Sequence, residues 1–205
     1  MTLDAGTLST VGKFGVLAGW LGFGAGVLLR RGAPATGDRA RDRGSLAGIL
    51  IQAAGFAMVW GPRRPDGTPI VSMSLVTWML LTGFAVALAL GSAWLGAASI
   101  RTLGKQWSLQ ARITQGHDLI TTGPYRFVRH PIYTAMLGLL LATGLAFSRP
   151  LGLGAGLLTF LAGTAIRIRV EERLLRTTFG ETYDAYARQV PAVLPRVLMF
   201  PRKRD

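Results

Sequence analysis

Residues 70–100 form a stretch of 31 residues without a single charged side chain. As an α-helix this stretch would be roughly 46 Å long, because each residue adds about 1.5 Å. The hydrocarbon core of a bilayer is about 30 Å thick, so we expect the helix to cross a membrane and either tilt strongly or project beyond it. Half of all residues are hydrophobic, which is typical of a membrane protein.

Four further apolar segments predict further spans, and the fold class is therefore an all-α, polytopic transmembrane bundle of about five spans. The four lie roughly at residues 11–29, 45–60, 131–147 and 150–166. We divide the chain into a generic two-span region, 1–68, and a core, 69–205. Small residues four apart let helices approach closely, which predicts tight packing at Gly15/Gly19, Gly22/Gly26 and Gly152/Gly156.

Positive charge predicts how the bundle is oriented. Of the 23 Lys and Arg residues, five lie in 30–44, five in 101–130 and nine after residue 166. The other four, Lys13, Arg63, Arg64 and Arg149, lie on the opposite side of the predicted spans. The positive-inside rule then places the C-terminus in the cytoplasm and the N-terminus outside. Because the basic residues alternate with spans, we interpret the net charge of +13 as contacts with anionic lipids, and we expect no nucleic-acid partner.

Several kinds of site are excluded by composition. The chain has no cysteine, so it has no disulfide, no thiolate zinc site and no cysteine nucleophile. Its two histidines, His117 and His130, lie thirteen positions apart and, even with Asp118, make no compact ligand set. We therefore expect no metal.

The segment GPYRFVRHPIY, residues 123–133, places polar side chains between two apolar runs. Charged groups near hydrocarbon are costly, so Arg126, Arg129 and His130 need a reason to be there. The Gly-Pro pair predicts a turn, and Pro131 suits the first turn of the fourth span, which puts His130 at its N-cap. These cationic groups suit a carboxylate ligand, whereas anchoring to lipid phosphate is the structural alternative for the two arginines.

The second polar segment, RIRVEERLLRTTFGETYDAYARQVPAVLP, spans residues 167–195. Arg167 and Glu171 share one helical face, and Glu172 and Arg176 share another, a pattern that an amphipathic interfacial helix would also explain. Gly180 predicts a break in this helix. Adjacent carboxylates suit an ammonium group or ribose hydroxyls, so the residues alone predict a membrane protein with a polar cytosolic pocket.

Both segments resemble the isoprenylcysteine carboxyl methyltransferase family and its phospholipid methyltransferase relatives. The family's R-H-P-x-Y motif occurs at residues 129–133, E-E-x-x-L at 171–175, and F-G-x-x-Y-x-x-Y at 179–186. The resemblance covers roughly residues 95–196. It implies an integral membrane enzyme that uses S-adenosylmethionine without the soluble Rossmann domain of most methyltransferases.

The resemblance also implies site residues. Arg167 is a candidate to bind a substrate carboxylate or the cofactor. Glu171 or Glu172 could accept a proton from an amine substrate, and Arg167 and Glu171 are the expected catalytic residues. The cofactor would be held by Tyr125, Arg126, His130, Tyr133, Glu171 and Glu172.

The expected acceptor is a lipid-like or prenylated molecule, with the carboxylate of a prenylcysteine-like compound favoured. It would enter sideways between helices, with contacts from the first three spans, in which the sequence shows no distinctive polar feature. Two other functions stay open: an NADPH-dependent membrane reductase on a related scaffold, and a non-catalytic module that binds anionic lipid. Binding of S-adenosylmethionine would distinguish them.

Overall fold

The computed structural model describes residues 4–29, 38–41, 44–61, 63–110, 112–114, 116 and 118–195. The six α-helices of this part of the chain are α1 (Ala5–Leu28), α2 (Gly44–Trp60), α3 (Leu75–Leu103), α4 (Pro131–Phe147), α5 (Pro150–Phe179) and α6 (Glu181–Gln189). Two short 3-10 turns are Gly104–Gln106 and Gly123–Arg126. Two short strands, β1 (Asp38–Arg41) and β2 (Arg112–Thr114), pair antiparallel, a feature that the sequence analysis did not predict.

All five predicted apolar segments are helices, which confirms the all-helical membrane bundle. Of the described helices, α1, α3 and α5 are long and apolar enough to cross a membrane. The helices α2 and α4 have 17 residues each, so the number of spans stays a prediction. Large apolar side chains such as Leu80, Phe84 and Trp94 are largely exposed on the outside of the bundle. A bilayer would cover this surface, and the chain is an integral membrane protein.

Two helix boundaries differ from those expected. Helix α3 begins at Leu75, not at Ile70, because the Ser74 side chain caps it by accepting a hydrogen bond from the Thr77 backbone N–H at 3.2 Å. Helix α5 runs for 30 residues, so the fifth apolar segment continues without a break into the amphipathic segment. It ends where Gly180 adopts a φ of 52°, at the predicted break. The polar residues of this segment are therefore held rigidly on the end of a long helix.

Helix α4 lies at the centre of the bundle, where it contacts α1, α2, α3 and α5. Around it, α1 packs on α3 and α2 packs on α5. The glycines of α1 make the predicted close approach: a Cβ added to Gly19 would lie 2.7 Å from the Cβ of Ala89. In the same way, a Cβ on Gly55 of α2 would lie 2.8 Å from the backbone of Gly156 in α5. These contacts fix the helices that carry the polar residues.

Arg64 caps the end of α4 that faces away from those polar residues. Its guanidinium donates to the carbonyls of Ser148 at 2.9 Å, Ala146 at 3.0 Å and Leu145 at 2.5 Å. Its Nε donates to the Thr68 carbonyl at 2.9 Å. The last carbonyls of a helix have no partner within the helix, and a cation there also complements the helix dipole.

We expect Arg64→Met to lower the free energy of unfolding by about 2 kcal/mol, since it leaves several carbonyls unpaired. For a chain of this length that corresponds to a fall in Tm of roughly 4–8 °C, measured by thermal unfolding in detergent. Arg63→Met is the matched control, because Arg63 is exposed and its side chain contacts Trp60 and not the end of α4 among the described residues. Equal melting temperatures for the two variants would contradict the cap.

Candidate active site

A cavity of about 310 Å³ lies within the described part of the chain. Its apolar side comes from α1, α3, α4 and α5 and includes Phe23, Val27, Ile100, Met136 and Leu175. Its polar side includes Gln106, Ser108, Gln110, Asp118, Tyr125, Arg129, His130, Tyr133, Arg167, Glu171, Tyr183 and Tyr186. Five of the predicted site residues therefore meet around one space: Tyr125, His130, Tyr133, Arg167 and Glu171.

The segment before α4 presents the first of these side chains. Gly123 has a φ of 58° and starts the 3-10 turn that buries Tyr125. His130 is the N-cap of α4, as predicted, but its ring does not cap the helix. The ring instead stacks against that of Tyr133, one turn later, with a centroid distance of 5.7 Å. The 3-10 turn and the start of α4 thus direct the rings of His130 and Tyr133 into the cavity.

Glu171 faces the cavity and collects several donors. It accepts a hydrogen bond from the Tyr133 hydroxyl, and its carboxylate lies 3.4 Å from Nδ1 of His130 and 3.8 Å from a guanidinium nitrogen of Arg167. A quarter of its side chain is still exposed. The carboxylate is thus oriented by its neighbours and remains open to a ligand.

Glu172, the next residue, lies in a different environment. Its Oε1 accepts from Arg129 at 2.7 and 3.0 Å and lies 3.3 Å from Nε2 of His130. Its Oε2 accepts from Arg176 at 3.3 Å, and only 10% of the side chain is exposed. Glu172 does not line the cavity, so His130 lies between a carboxylate that faces the cavity and one that faces the protein.

Arg129 ties the chain after α6 to the start of α4. Its guanidinium donates to the carbonyls of Ala187 and Val190, the first at 2.9 Å. Its backbone N–H donates to the Pro191 carbonyl at 2.8 Å, and that of His130 donates to the Ala192 carbonyl at 2.9 Å. Arg129 is therefore engaged by the protein itself and holds α6 over the cavity.

Helix α6 closes the cavity with aromatic rings. Tyr183 and Tyr186 line it, and the Tyr186 hydroxyl donates to the Tyr125 carbonyl at 2.6 Å. Burial raises the pKa of Tyr186 to about 12, so its hydroxyl stays protonated and remains a donor near neutral pH.

Arg167 is 5% exposed and is held from three directions. It donates to Oε1 of Gln52 at 3.0 Å and to the Leu109 carbonyl at 2.6 Å, and its guanidinium lies 4.8 Å from the centre of the Tyr133 ring. Its Nε is buried and has no hydrogen-bond partner among the described residues. The cavity is therefore lined by a cation whose position is fixed by the protein.

Gln52 was missed by the sequence analysis. The expectation that the first three spans carry no distinctive polar feature was wrong, because Gln52 lies inside α2 and reaches the site. The signal was present: Gln52 is the one amide in the otherwise apolar sequence GSLAGILIQAAGFAMVW, and a polar side chain within a span usually has a functional or packing partner.

One predicted site residue, Arg126, lies elsewhere. Arg126 is exposed, with its guanidinium 4.4 Å from the centre of the Phe127 ring, and it does not line the cavity. His117 lies outside the described residues. Within the described residues, no group of three or more His, Asp or Glu side chains is arranged to hold a metal ion.

His130 has a pKa set by opposing effects. Burial lowers the pKa, but the hydrogen bonds and charges of Glu171 and Glu172 together outweigh burial and raise it above the ordinary 6.5. The protonated ring thus contributes stability that is fully present below about pH 6.5 and is lost as the pH rises through the raised pKa.

We expect the Tm difference between the wild type and His130→Asn to be largest below about pH 6.5 and to shrink at higher pH. The asparagine variant has no group that titrates at this position. Thermal unfolding in detergent at a series of pH values measures the difference. A difference that grows as the pH rises would mean that His130 is neutral in the folded protein.

The chain is similar to methyltransferases and to a metal-resistance protein. The family model for phospholipid methyltransferases matches residues 70–182. A nickel-cobalt-cadmium resistance protein of Alcaligenes xylosoxydans xylosoxydans is 33% identical over 162 residues, which are 78% of this chain and 68% of that protein. Methanethiol S-methyltransferase 2 of Bradyrhizobium diazoefficiens is 32% identical over 172 residues, which are 76% of this chain and 60% of that enzyme. The chain thus spans about 60 to 68% of the length of these relatives.

A solved structure shares the fold. The eukaryotic intramembrane Ras methyltransferase, isoprenylcysteine carboxyl methyltransferase, superposes with a TM-score of 0.52 at 21% sequence identity. The match covers 73% of this chain and 51% of that protein. This likeness supports the helical membrane architecture described above.

Proposed function

The chain belongs to the phospholipid methyltransferase family of membrane proteins, and from this premise we propose that it transfers a methyl group from S-adenosylmethionine to a lipid-like acceptor. The observation that carries the proposal is the cavity itself. In it, a partly exposed carboxylate, three buried tyrosines and a buried arginine face apolar walls. A water-soluble donor and a lipid-soluble acceptor could meet in such a space.

The polar side of the cavity fits the chemistry of the donor. S-adenosylmethionine carries two cationic groups, a carboxylate, ribose hydroxyls and an aromatic base. Glu171 offers a carboxylate with a quarter of its side chain exposed, which suits an ammonium or a hydroxyl. The Tyr125, Tyr133 and Tyr186 side chains supply aromatic surface along the same wall. We propose that these residues and His130 hold the donor, with Glu172 acting through His130 and Arg129. Arg126 lies outside the cavity lining, and its predicted contact with the donor stays a prediction.

When bound, S-adenosylmethionine supplies a methyl group already activated by a positively charged sulfur. The protein then has to exclude water, orient the acceptor and align it with the methyl group. Helix α6 covers the cavity and is held there by Arg129, which serves the first task. The rigid end of α5 carries Arg167 and Glu171 one turn apart, and these residues would orient the acceptor and align it with the methyl group.

A carboxylate is the acceptor group that this cavity favours. Arg167 lines the cavity as a buried cation, so it can orient a carboxylate, and a carboxylate has no proton to lose before it is methylated. An amine would need a free base, whereas Glu171 already accepts from Tyr133 and lies beside His130 and Arg167. The apolar wall suits a prenyl or acyl chain, and we propose a prenylcysteine-like acid as the acceptor.

The orientation in the membrane follows from the distribution of basic residues. The polar end of the cavity lies on the side that carries 19 of the 23 Lys and Arg residues by the predicted topology. We propose that this side is cytoplasmic, where S-adenosylmethionine is made, and that the surrounding arginines contact anionic lipid headgroups.

The test uses the detergent-purified protein with methyl-labelled S-adenosylmethionine and three acceptors: N-acetyl-S-farnesyl-L-cysteine, phosphatidylethanolamine and an alkyl thiol. A carboxylate product is a methyl ester, which releases labelled methanol in base, whereas N-methyl and S-methyl products are stable to base. We expect base-labile label with the farnesylcysteine compound. Base-stable label alone would replace the carboxylate by an amine or thiol acceptor, and no label with any acceptor would contradict the proposed function.

A further inference from the structure

We infer that Gln52 is a positioning residue that fixes Arg167 for binding the acceptor carboxylate, an inference that rests on the proposed function. Gln52 lies on α2, in the middle of an apolar sequence, and is 2% exposed. It lies outside the residues that the family model matches, 70–182. The part of the chain with no family motif would therefore supply a residue that tunes the site.

Gln52 joins two residues of α5. Its Oε1 accepts from a guanidinium nitrogen of Arg167 at 3.0 Å, and its Nε2 donates to the Thr164 hydroxyl at 2.7 Å. Thr164 and Arg167 are three positions apart on one helix face, so a single amide spans both. All three side chains are buried, and a hydrogen bond to a charged group is worth more there than at the surface.

The orientation of the amide is determined by chemistry. Arginine has only donors, so the oxygen of Gln52 must face Arg167 and the nitrogen must face Thr164. The reversed amide would place two donors against each other. Gln52 therefore has one satisfied position, and in that position it holds one edge of the guanidinium while the Leu109 carbonyl holds another. The Nε of Arg167 is left without a partner among the described residues.

Glycines bring the two helices close enough for this contact. A Cβ added to Gly163 would lie 2.7 Å from the backbone nitrogen of Gln52, and one added to Gly48 would lie 2.9 Å from the Gly163 carbonyl. This close approach lets the Gln52 side chain reach across to α5. The pairing is therefore built into the α2–α5 interface.

Without Gln52, Arg167 keeps its charge but loses one of the two acceptors that fix its plane. A less well oriented guanidinium would bind an acceptor carboxylate more weakly. Glu171 keeps its hydrogen bond from Tyr133 and its contact with His130, so we expect donor binding to change little. Loss of binding that is equal in the ground state and the transition state raises KM and leaves kcat unchanged. A raised KM with an unchanged kcat would therefore indicate that Gln52 positions Arg167. A merely structural role of Gln52 would instead lower kcat, stability and donor affinity together.

The test compares the wild type, Gln52→Met and Thr164→Val in methyl transfer to N-acetyl-S-farnesyl-L-cysteine, with binding of S-adenosylmethionine measured on each. Methionine keeps the length of glutamine and removes both polar ends. We expect Gln52→Met to raise the acceptor KM about tenfold, consistent with the loss of a hydrogen bond to a charged group, with kcat and donor Kd within about twofold of the wild type. Thr164→Val, which frees the amide nitrogen, should raise KM by about threefold. The control is Leu50→Met on the exposed face of α2, with no expected change.

The outcomes separate the two proposals. A wild-type KM in both Gln52→Met and Thr164→Val, with the wild type active, overturns the role of Gln52 and leaves the proposed function intact. Equal losses of donor affinity and kcat in both variants make Gln52 a packing residue and also overturn the inference. A wild type that neither binds S-adenosylmethionine nor methylates the probe overturns both proposals.

Discussion

Glu171→Gln should weaken S-adenosylmethionine binding by about 10- to 100-fold while changing the Tm by no more than a few degrees. The substitution keeps the size of the side chain and an oxygen that can accept from Tyr133. It removes the negative charge that faces the cavity, and a hydrogen bond to a charged group is worth about 1.5–3 kcal/mol. Each 1.4 kcal/mol is a factor of ten in affinity, which gives the stated range.

Equilibrium binding of labelled S-adenosylmethionine to wild-type and variant protein measures this effect. Glu181→Gln is the matched control, because Glu181 is exposed at the start of α6 and does not line the cavity. If Glu171→Gln binds the donor as tightly as Glu181→Gln does, Glu171 does not contact the donor.

Glu172→Gln should cause a large loss of stability, whereas Glu171→Gln should mainly weaken donor binding. Glu172 is the partner of Arg129, and the side chains of the two are 10% and 13% exposed. Removing one member of such a pair leaves an uncompensated buried charge, which typically costs about 3–5 kcal/mol. At about 2–4 °C per kcal/mol, the expected fall in Tm is roughly 6–20 °C.

The loss should also loosen α6, because Arg129 holds the chain after α6 against the start of α4. Thermal unfolding in detergent gives the Tm, and limited proteolysis after residue 180 reports the release of α6. The double variant Arg129→Met/Glu172→Leu is the informative companion: with both charges removed, it should recover part of the stability. A Glu172→Gln variant that melts like the wild type would contradict the pairing.

These two adjacent glutamates show what the sequence could predict and what it could not. The resemblance of the E-E pair and the R-H-P segment to family motifs implied that both glutamates and His130 belong to one site, and His130 lies within 3.4 Å of both carboxylates. Sequence spacing cannot distinguish which carboxylate faces a ligand and which faces the protein, because adjacent residues of a helix point about 100° apart and the packing of neighbouring helices decides. Glu172 packs beside Arg129, whereas Glu171 lies beside the cavity.

Gln52 shows the second limit. The apolar composition of residues 45–60 predicted a helix, and α2 is one, but nothing local indicated which helix it would pack on. Its contact with Arg167 joins residues 115 positions apart. Such a contact depends on the order of helices around α4, which hydropathy does not encode. The two short strands were missed for the same reason, since β1 and β2 come from separate loops.

The most direct test of the proposed donor site is calorimetric titration of the detergent-purified wild type with S-adenosylmethionine, with and without N-acetyl-S-farnesyl-L-cysteine. We expect saturable binding at one site per chain in at least one of the two conditions. A well-folded wild type that releases or absorbs no heat of binding in either condition would contradict a donor site in the cavity between α4, α5 and α6, and would favour a non-catalytic lipid-binding protein.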